Sequence, residues 1–454
     1  MRNCTTQYGF QNMIHAPSVL KHSASVLALL GLSACASVPK LGPAASIKPV
    51  DHYAAQQSLA GATPAAWPGD GWWHAYGDPQ LDGLIAEALK GSPDIATAVA
   101  RVRRAEGMLQ QSGAARLPTL DASGNGGFAK QSYNNGIPPA FVPKGWNDTG
   151  NIHGTLGFDL DLWGRNRAAY AAAKSDLEAA RLDQAQAALL LSTGIADAYA
   201  DLSRLFAARS VQEAALDVRQ KTAALVSDRV TSGLDMQAEL KQANAAVPAA
   251  RSDLAATDEQ IALTRNRLAA LLGAGPDRGL AITAPTVSII ARGIPESVTT
   301  DLVGRRPDIA AARARVEAEA SRIKVARADF YPALSLSGIF GYQSLGLDNL
   351  FKSGSTYGNA GGAISLPIFR GGELQGRYRG ARASFDEAVA SYDRTVTDAY
   401  RAVADAVVSQ RALATQLAES QKSLTDFQAA YSIATMRYQG GLSTFLDVLT
   451  AQDR

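Results

Sequence analysis

Apolar positions along the chain follow two periods. Ile309, Ala312, Val316, Ala320, Ile323, Ala326 and Phe330 recur at steps of three and four, the stripe of an amphipathic helix. Pro307 can open that helix, because its first turn needs no N–H from it. Pro332 removes a donor and disfavours helix in the preceding residue, so the helix should stop at Tyr331. The period then becomes two. Leu334, Leu336, Gly338, Phe340 and Tyr342 fall on one face of a strand, and Ser335, Ser337, Gly341 and Gln343 on the other. The same passage stands 214 residues earlier: Pro93-Asp94-Ile95-Ala96 matches Pro307-Asp308-Ile309-Ala310, Pro118 matches Pro332, and Ser123-Gly124 matches Ser337-Gly338. The chain is therefore an internal duplication.

In chain order, the pattern predicts an extended tether over 35–79, ending in the aromatic cluster Trp72-Trp73. The first repeat, 80–272, begins with a short helix closed by Gly91 and a second helix from Pro93 to Leu117. Strands follow over 119–129 and 152–162, separated by a polar loop rich in Asn, Gly and Pro. From about Asn166 to Val230 there is no proline, which predicts one helix of roughly 65 residues, about 100 Å long. Such a helix needs partner helices along its length. Thr231-Ser232-Gly233-Leu234-Asp235 should break it, with Gly233 as C-cap and Asp235 capping the return helix Met236–Leu272, where Pro248 marks a kink or join. After a linker over 273–294, the second repeat, 295–454, places strands at 333–343 and 357–368 and another long helix from Gly371 to Arg437. Here the offset is 208, so that Arg229 to Leu234 matches Arg437 to Leu442. By that count Arg454 matches Ala246, and the second return helix is expected to be truncated.

All four strands put apolar or small residues at even positions and mostly polar or small ones at odd positions. Their length of about ten residues suits a tilted strand crossing a bilayer. Open strand edges are not tolerated in hydrocarbon, so closure would require several chains. Composition agrees with long packed helices: 46% of residues are hydrophobic but only 7% aromatic. A net charge of +2, with arginines interleaved among acids, gives no sign of nucleic-acid binding.

At the N-terminus, Lys21 and His22 precede the apolar run Val26 to Leu32 and then Leu32-Ser33-Ala34-Cys35, which resembles a bacterial lipobox. Residues 1–34 then read as a signal peptide, with Cys35 carrying lipid and Cys4 removed, leaving no disulfide. Ala36, not aspartate, follows the cysteine, the pattern that goes with export to the outer membrane. No other window reaches the apolar length of a spanning helix. The five histidines show no metal-ligand spacing, and neither a phosphate loop nor a nucleophile elbow appears, so no catalytic residue, metal or cofactor is expected.

Cys35, Trp72-Trp73 with Gly77-Asp78-Pro79, Asp161-Leu162-Trp163-Gly164-Arg165, Gly293-Ile294-Pro295, Arg305-Arg306-Pro307-Asp308, Phe330-Tyr331-Pro332, Pro367 to Gly372 and Arg437-Tyr438 with Gly441 form a combined signature. It resembles the TolC-type outer-membrane channels, in their NodT-like lipoprotein branch. The resemblance implies a mainly α fold with a small β part: a homotrimer whose 12-stranded transmembrane β-barrel tops an α-barrel. It also implies an efflux conduit for small molecules such as drugs, working with a periplasmic adaptor and a proton-driven inner-membrane pump. The adaptor would meet the hairpin tips at Arg229, Gly233, Leu234, Arg437, Gly441 and Leu442. Tyr438, Leu446, Thr450 and Asp453 lie at or beside the closing constriction. A type I protein secretion channel shares this architecture, and a structural coiled-coil envelope lipoprotein is the remote alternative. Met236 and Met436 stand alone, so no methionine cluster points to soft-metal export.

Overall fold

A computed structural model describes residues 37–49, 52–60, 64–287, 293, 295 and 298–453. The signal segment, Cys4 and Cys35 lie outside the described residues. The fold is mainly helical with one small sheet. It divides into two compact units that do not follow the sequence repeats: each draws on both halves of the chain. One holds the described residues up to Ser46 with 107–176 and 315–389; the other holds the remainder.

The second unit is organised around a capped helix. Helix α1 (Pro79–Gly91) starts with proline at its first position, and the carboxylate of Asp78 accepts from Gln80 N at 2.9 Å. Leu81, Leu84, Ile85 and Ala88 on its inner face pack with Leu191, Ile195, Tyr199 and Leu202, and with Ile261, Leu268 and Ile282. Asp78 is buried at this junction, where its other oxygen takes the hydroxyl of Tyr199 at 2.8 Å and the backbone N–H of Thr286 at 2.7 Å. Burial alone would push this carboxyl up, but the hydrogen bonds outweigh it and hold it below the usual range. The Gly77-Asp78-Pro79 signature is thus a knot tying three separate segments together.

Among the described residues, the remaining helices of eight or more residues are α2 (Pro93–Ala114), α3 (Arg165–Thr231), α4 (Gln237–Leu271), α5 (Val298–Arg305), α6 (Pro307–Ala328), α7 (Glu373–Gln439) and α8 (Phe445–Asp453). α3 and α7 are each 67 residues long, and the division between units falls inside both. Pro248 does not break α4, which runs unbroken for 35 residues. Ala243 and Ala250, on either side of it, are buried, so packing offsets the one lost hydrogen bond. α2 ends at Ala114, not Leu117, because the last residues tighten into i→i+3 turns, with Arg116 N donating to Gly113 O and Leu117 N to Ala114 O. α5, too short to show a stripe, was not foreseen.

In the first unit, strands β1 (Thr119–Ala129), β2 (Asn147–Leu160), β3 (Ala333–Leu345) and β4 (Thr356–Ser365) form one antiparallel sheet in the order β1-β2-β3-β4. Four limits differ from expectation by two residues or more. β2 starts at Asn147, before 152, because its polar first residues find partners in β1 and β3 that no hydrophobic alternation reveals. It stops at Leu160, short of 162, because Asp161 caps α3, accepting from Asn166 N at 3.0 Å and Arg167 N at 2.8 Å. β4 stops at Ser365, short of 368, just before Pro367, which has no N–H for a ladder. β3, in turn, continues two residues past 343.

Two signature segments explain each other at the foot of this sheet. Trp163 stacks on Tyr331 with centroids 4.8 Å apart and donates its indole N–H to Pro332 O at 2.7 Å. Arg165 reaches Asp329 at 2.7 Å. The N-terminal stretch is pinned rather than loose in this unit: Val38 and Leu41 pack against Phe330, Leu374 and Tyr378.

Candidate functional site

Two features of the fold expose chemistry that folding alone does not require. The first is the sheet. All three ladders pair residues of like parity, as in Leu120↔Leu156, Leu156↔Gly338 and Gly338↔Ala360, so every even-numbered position lies on one face of the whole sheet. That face carries Leu120, Phe128, Ile152, Leu156, Leu336, Phe340 and Ile364. None is buried: Phe128 is 77% exposed, Ile364 71% and Phe340 62%. A water-facing sheet would put such residues inward. The opposite face carries Asp121, Ser123, Asn125, Asn151, His153, Thr155, Ser335, Ser337, Gln343, Tyr357 and Asn359. β1 and β4 are sheet edges within the chain. Among the described residues, no helix is long and apolar enough to cross a membrane.

The second feature is the pair of hairpin tips, which lie in the other unit. α3 ends with Gly233 at φ 73°, where Leu234 N donates to Arg229 O at 2.8 Å and Gly233 N to Val230 O at 3.0 Å. α7 ends identically, with Gly441 at φ 70°, Leu442 N to Arg437 O at 2.8 Å and Gly441 N to Tyr438 O at 3.1 Å. Both are Schellman caps, and both leave a leucine projecting into solvent.

The side chains of the tips differ. Arg229 bonds Asp235 at 2.9 Å, with both side chains only 13% exposed, and its guanidinium lies over the Tyr438 ring at 4.5 Å. The Tyr438 hydroxyl donates to the same carboxylate. Asp235 therefore does not cap α4, as the sequence suggested. The N-cap is Met236, which makes no side-chain cap. Tyr438 is 1% exposed and packs with Val226, Ala243, Phe445 and Val448. Burial pushes its hydroxyl up to about 12, reinforced by the neighbouring carboxylate. Burial would also raise Asp235, but the Arg229 and Tyr438 hydrogen bonds outweigh it and hold its carboxyl below the usual range. The hydrogen bond to Asp235 raises Arg229 in turn. Arg437 has no such partner among the described residues, because its repeat places Ser443 where Asp235 stands; its guanidinium donates to Leu442 O at 3.4 Å.

The remaining constriction candidates do not join Tyr438. Leu446 is exposed, Thr450 folds its hydroxyl back to Leu446 O at 2.8 Å, and Asp453 faces Arg219 at 3.7 Å. Asp447 accepts from the Thr444 backbone at 3.0 Å and fixes the start of α8. From the sequence Asp235 is a tip residue and a helix cap; its bond to Tyr438 of the other repeat was not foreseen. The available signal was that the two tips, which share their arginine, C-cap glycine and leucine, exchange Asp235 for Ser443 and Val230 for Tyr438.

The family model described as "Outer membrane efflux protein" matches residues 84–274 and 299–454. The chain is 37% identical over 325 residues to the fusaric acid resistance protein FusA of Burkholderia cepacia, covering 70% of this chain and 61% of that protein. It is 33% identical over 364 residues to the multidrug resistance outer membrane protein MdtP of Escherichia coli, covering 78% and 74%. Among solved structures, the outer membrane protein VceC from Vibrio cholerae superimposes with a TM-score of 0.81 at 42% identity, covering 85% of this chain and 92% of VceC.

Proposed function

The chain belongs to the outer membrane efflux protein family, and from that premise we propose that three copies form a conduit carrying small molecules, such as drugs, from the periplasm to the exterior. The observation that carries this reading is the sheet: four strands with one exposed apolar face, one polar face and two free edges. Only a closed cylinder satisfies such edges in hydrocarbon. Three copies supply twelve strands, with the even face toward lipid and the odd face toward water. Relatives that resist fusaric acid or several drugs support export of small molecules.

In this reading the tips, Arg229 to Leu234 and Arg437 to Leu442, meet a periplasmic adaptor, which couples the conduit to a proton-driven inner-membrane pump. The exposed Leu234 and Leu442 supply apolar knobs at a fixed spacing. The bond of Tyr438 and Arg229 to Asp235 holds the two tips together when no partner is engaged, and Leu446, Thr450 and Asp453 line the approach. Cys35 anchors the chain to the outer membrane through lipid. The decisive experiment is reconstitution of purified protein: a heat-resistant trimer that conducts ions across a planar bilayer is the expected result. A water-soluble monomer without conductance would overturn the reading.

A further inference from the structure

On the polar face, one row across the sheet reads Ser123, His153, Gly341, Tyr357 in direct register. Ser123 Oγ lies 3.1 Å from His153 Nε2, Asn151 Oδ1 lies 2.5 Å from Nδ1, and Asn151 Nδ2 donates to the Tyr357 hydroxyl at 3.0 Å. The imidazole and phenol rings approach to 6.3 Å across Gly341. That glycine is compulsory: a Cβ there would stand 2.1 Å from Ile152 O and 2.6 Å from His153 Cβ. The two strands approach too closely here for a side chain, so none stands in the row between the imidazole and the phenol.

The charges around it are one-sided. The four strands contain no lysine or arginine. From β1, His153 is faced by Asp121 one row away; its own strand contributes Asp159 to the same face. β3 contributes no titratable group to this face, and β4 contributes Tyr357. Asp148 lies on the other face, at the strand's end, where it accepts from Leu347 N at 2.8 Å. A hydroxyl can donate to a neutral ring nitrogen or accept from a protonated one, so Ser123 stays bonded in either state.

We propose that His153 is a selectivity-determining residue of the conduit, a switchable positive charge set among carboxylates that otherwise favour cations. This rests on the trimeric reading, in which three copies of one inward residue make a ring. With neutral imidazoles the barrel segment carries only acidic groups and prefers cations. With protonated imidazoles the ring partly cancels them.

The test is the reversal potential of reconstituted trimers in a KCl gradient at pH 8 and pH 5, which bracket the range where imidazoles ordinarily titrate. The Asp235→Ala background is used beside the wild type, so that the tips do not limit the current. The cation-to-anion permeability ratio should fall about two-fold or more between pH 8 and pH 5. It should stay constant in His153→Gln and His153→Asn, either of which suffices if the other yields no trimer. In His153→Lys it should resemble the low-pH wild type at both values. The same pH shift in wild type and in a neutral variant overturns the assignment. Trimers of the Asp235→Ala background that do not conduct at all overturn the conduit reading itself, and this assignment with it.

Discussion

Asp235 holds two groups from different repeats, and its environment sets a direction for acid. Its lowered carboxyl means that the stabilisation it gives is fully present above the ordinary carboxylate range, about 4. That stabilisation is lost as the pH falls through the lowered value. Single-channel recordings from pH 7 toward pH 3 should therefore show the tips loosening only at the acid end. Hydrogen bonds to a charged group contribute about 1.5–3 kcal/mol. Asp235→Asn should accordingly shift the closed-to-open ratio about ten-fold or more toward open at neutral pH. An unchanged open probability would separate the bond from closure. The glycines of the tips were legible from the sequence, because a left-handed cap leaves a recognisable residue. The Asp235 bond was not, because it joins positions 203 residues apart. Gly233→Val or Gly441→Val should cost about 1–3 kcal/mol of local strain. Either should reduce cross-linking to the adaptor more than it reduces trimer yield.

At the level of elements, the strands were readable because alternation reports which residues share a face, whereas their limits depend on neighbours. β2 gains its first residues from pairing and loses its last to the cap of α3, neither of which leaves a periodic trace. Nor did α4 announce its continuity through Pro248, which rests on alanines packed on both sides. The like-parity register makes the two faces of the sheet separately testable. Phe340→Arg, on the exposed apolar face, should cost about 2–4 kcal/mol of membrane stability. A substitution on the other face, such as Ser337→Asn, should be nearly silent. Heat resistance of the folded protein in detergent and its recovery in outer-membrane fractions would check both. Equal tolerance of the two faces would remove the argument for opposite solvents. Gly341→Ala should fail to fold into the membrane, since its methyl group would collide with the backbone of β2.

For the whole molecule, duplication was plain in the sequence, but the compact units were not, because each is assembled from both repeats. Along α7, Val408, Leu413, Leu417 and Leu424 are all more than half exposed, a stripe that matches the need of such a helix for neighbours. Dissociated single chains should therefore aggregate, which light scattering after dilution from denaturant would show. A Cys35→Ser chain should lose palmitate labelling while still forming trimers. The tips also show what carrying both halves in one chain permits. Six unfused half-chains could close the same cylinder, but each would present its neighbour with an identical end. One gene carrying both halves frees them to diverge. Here the acid stands in one half and the tyrosine that meets it in the other, a latch that six equal parts could not build.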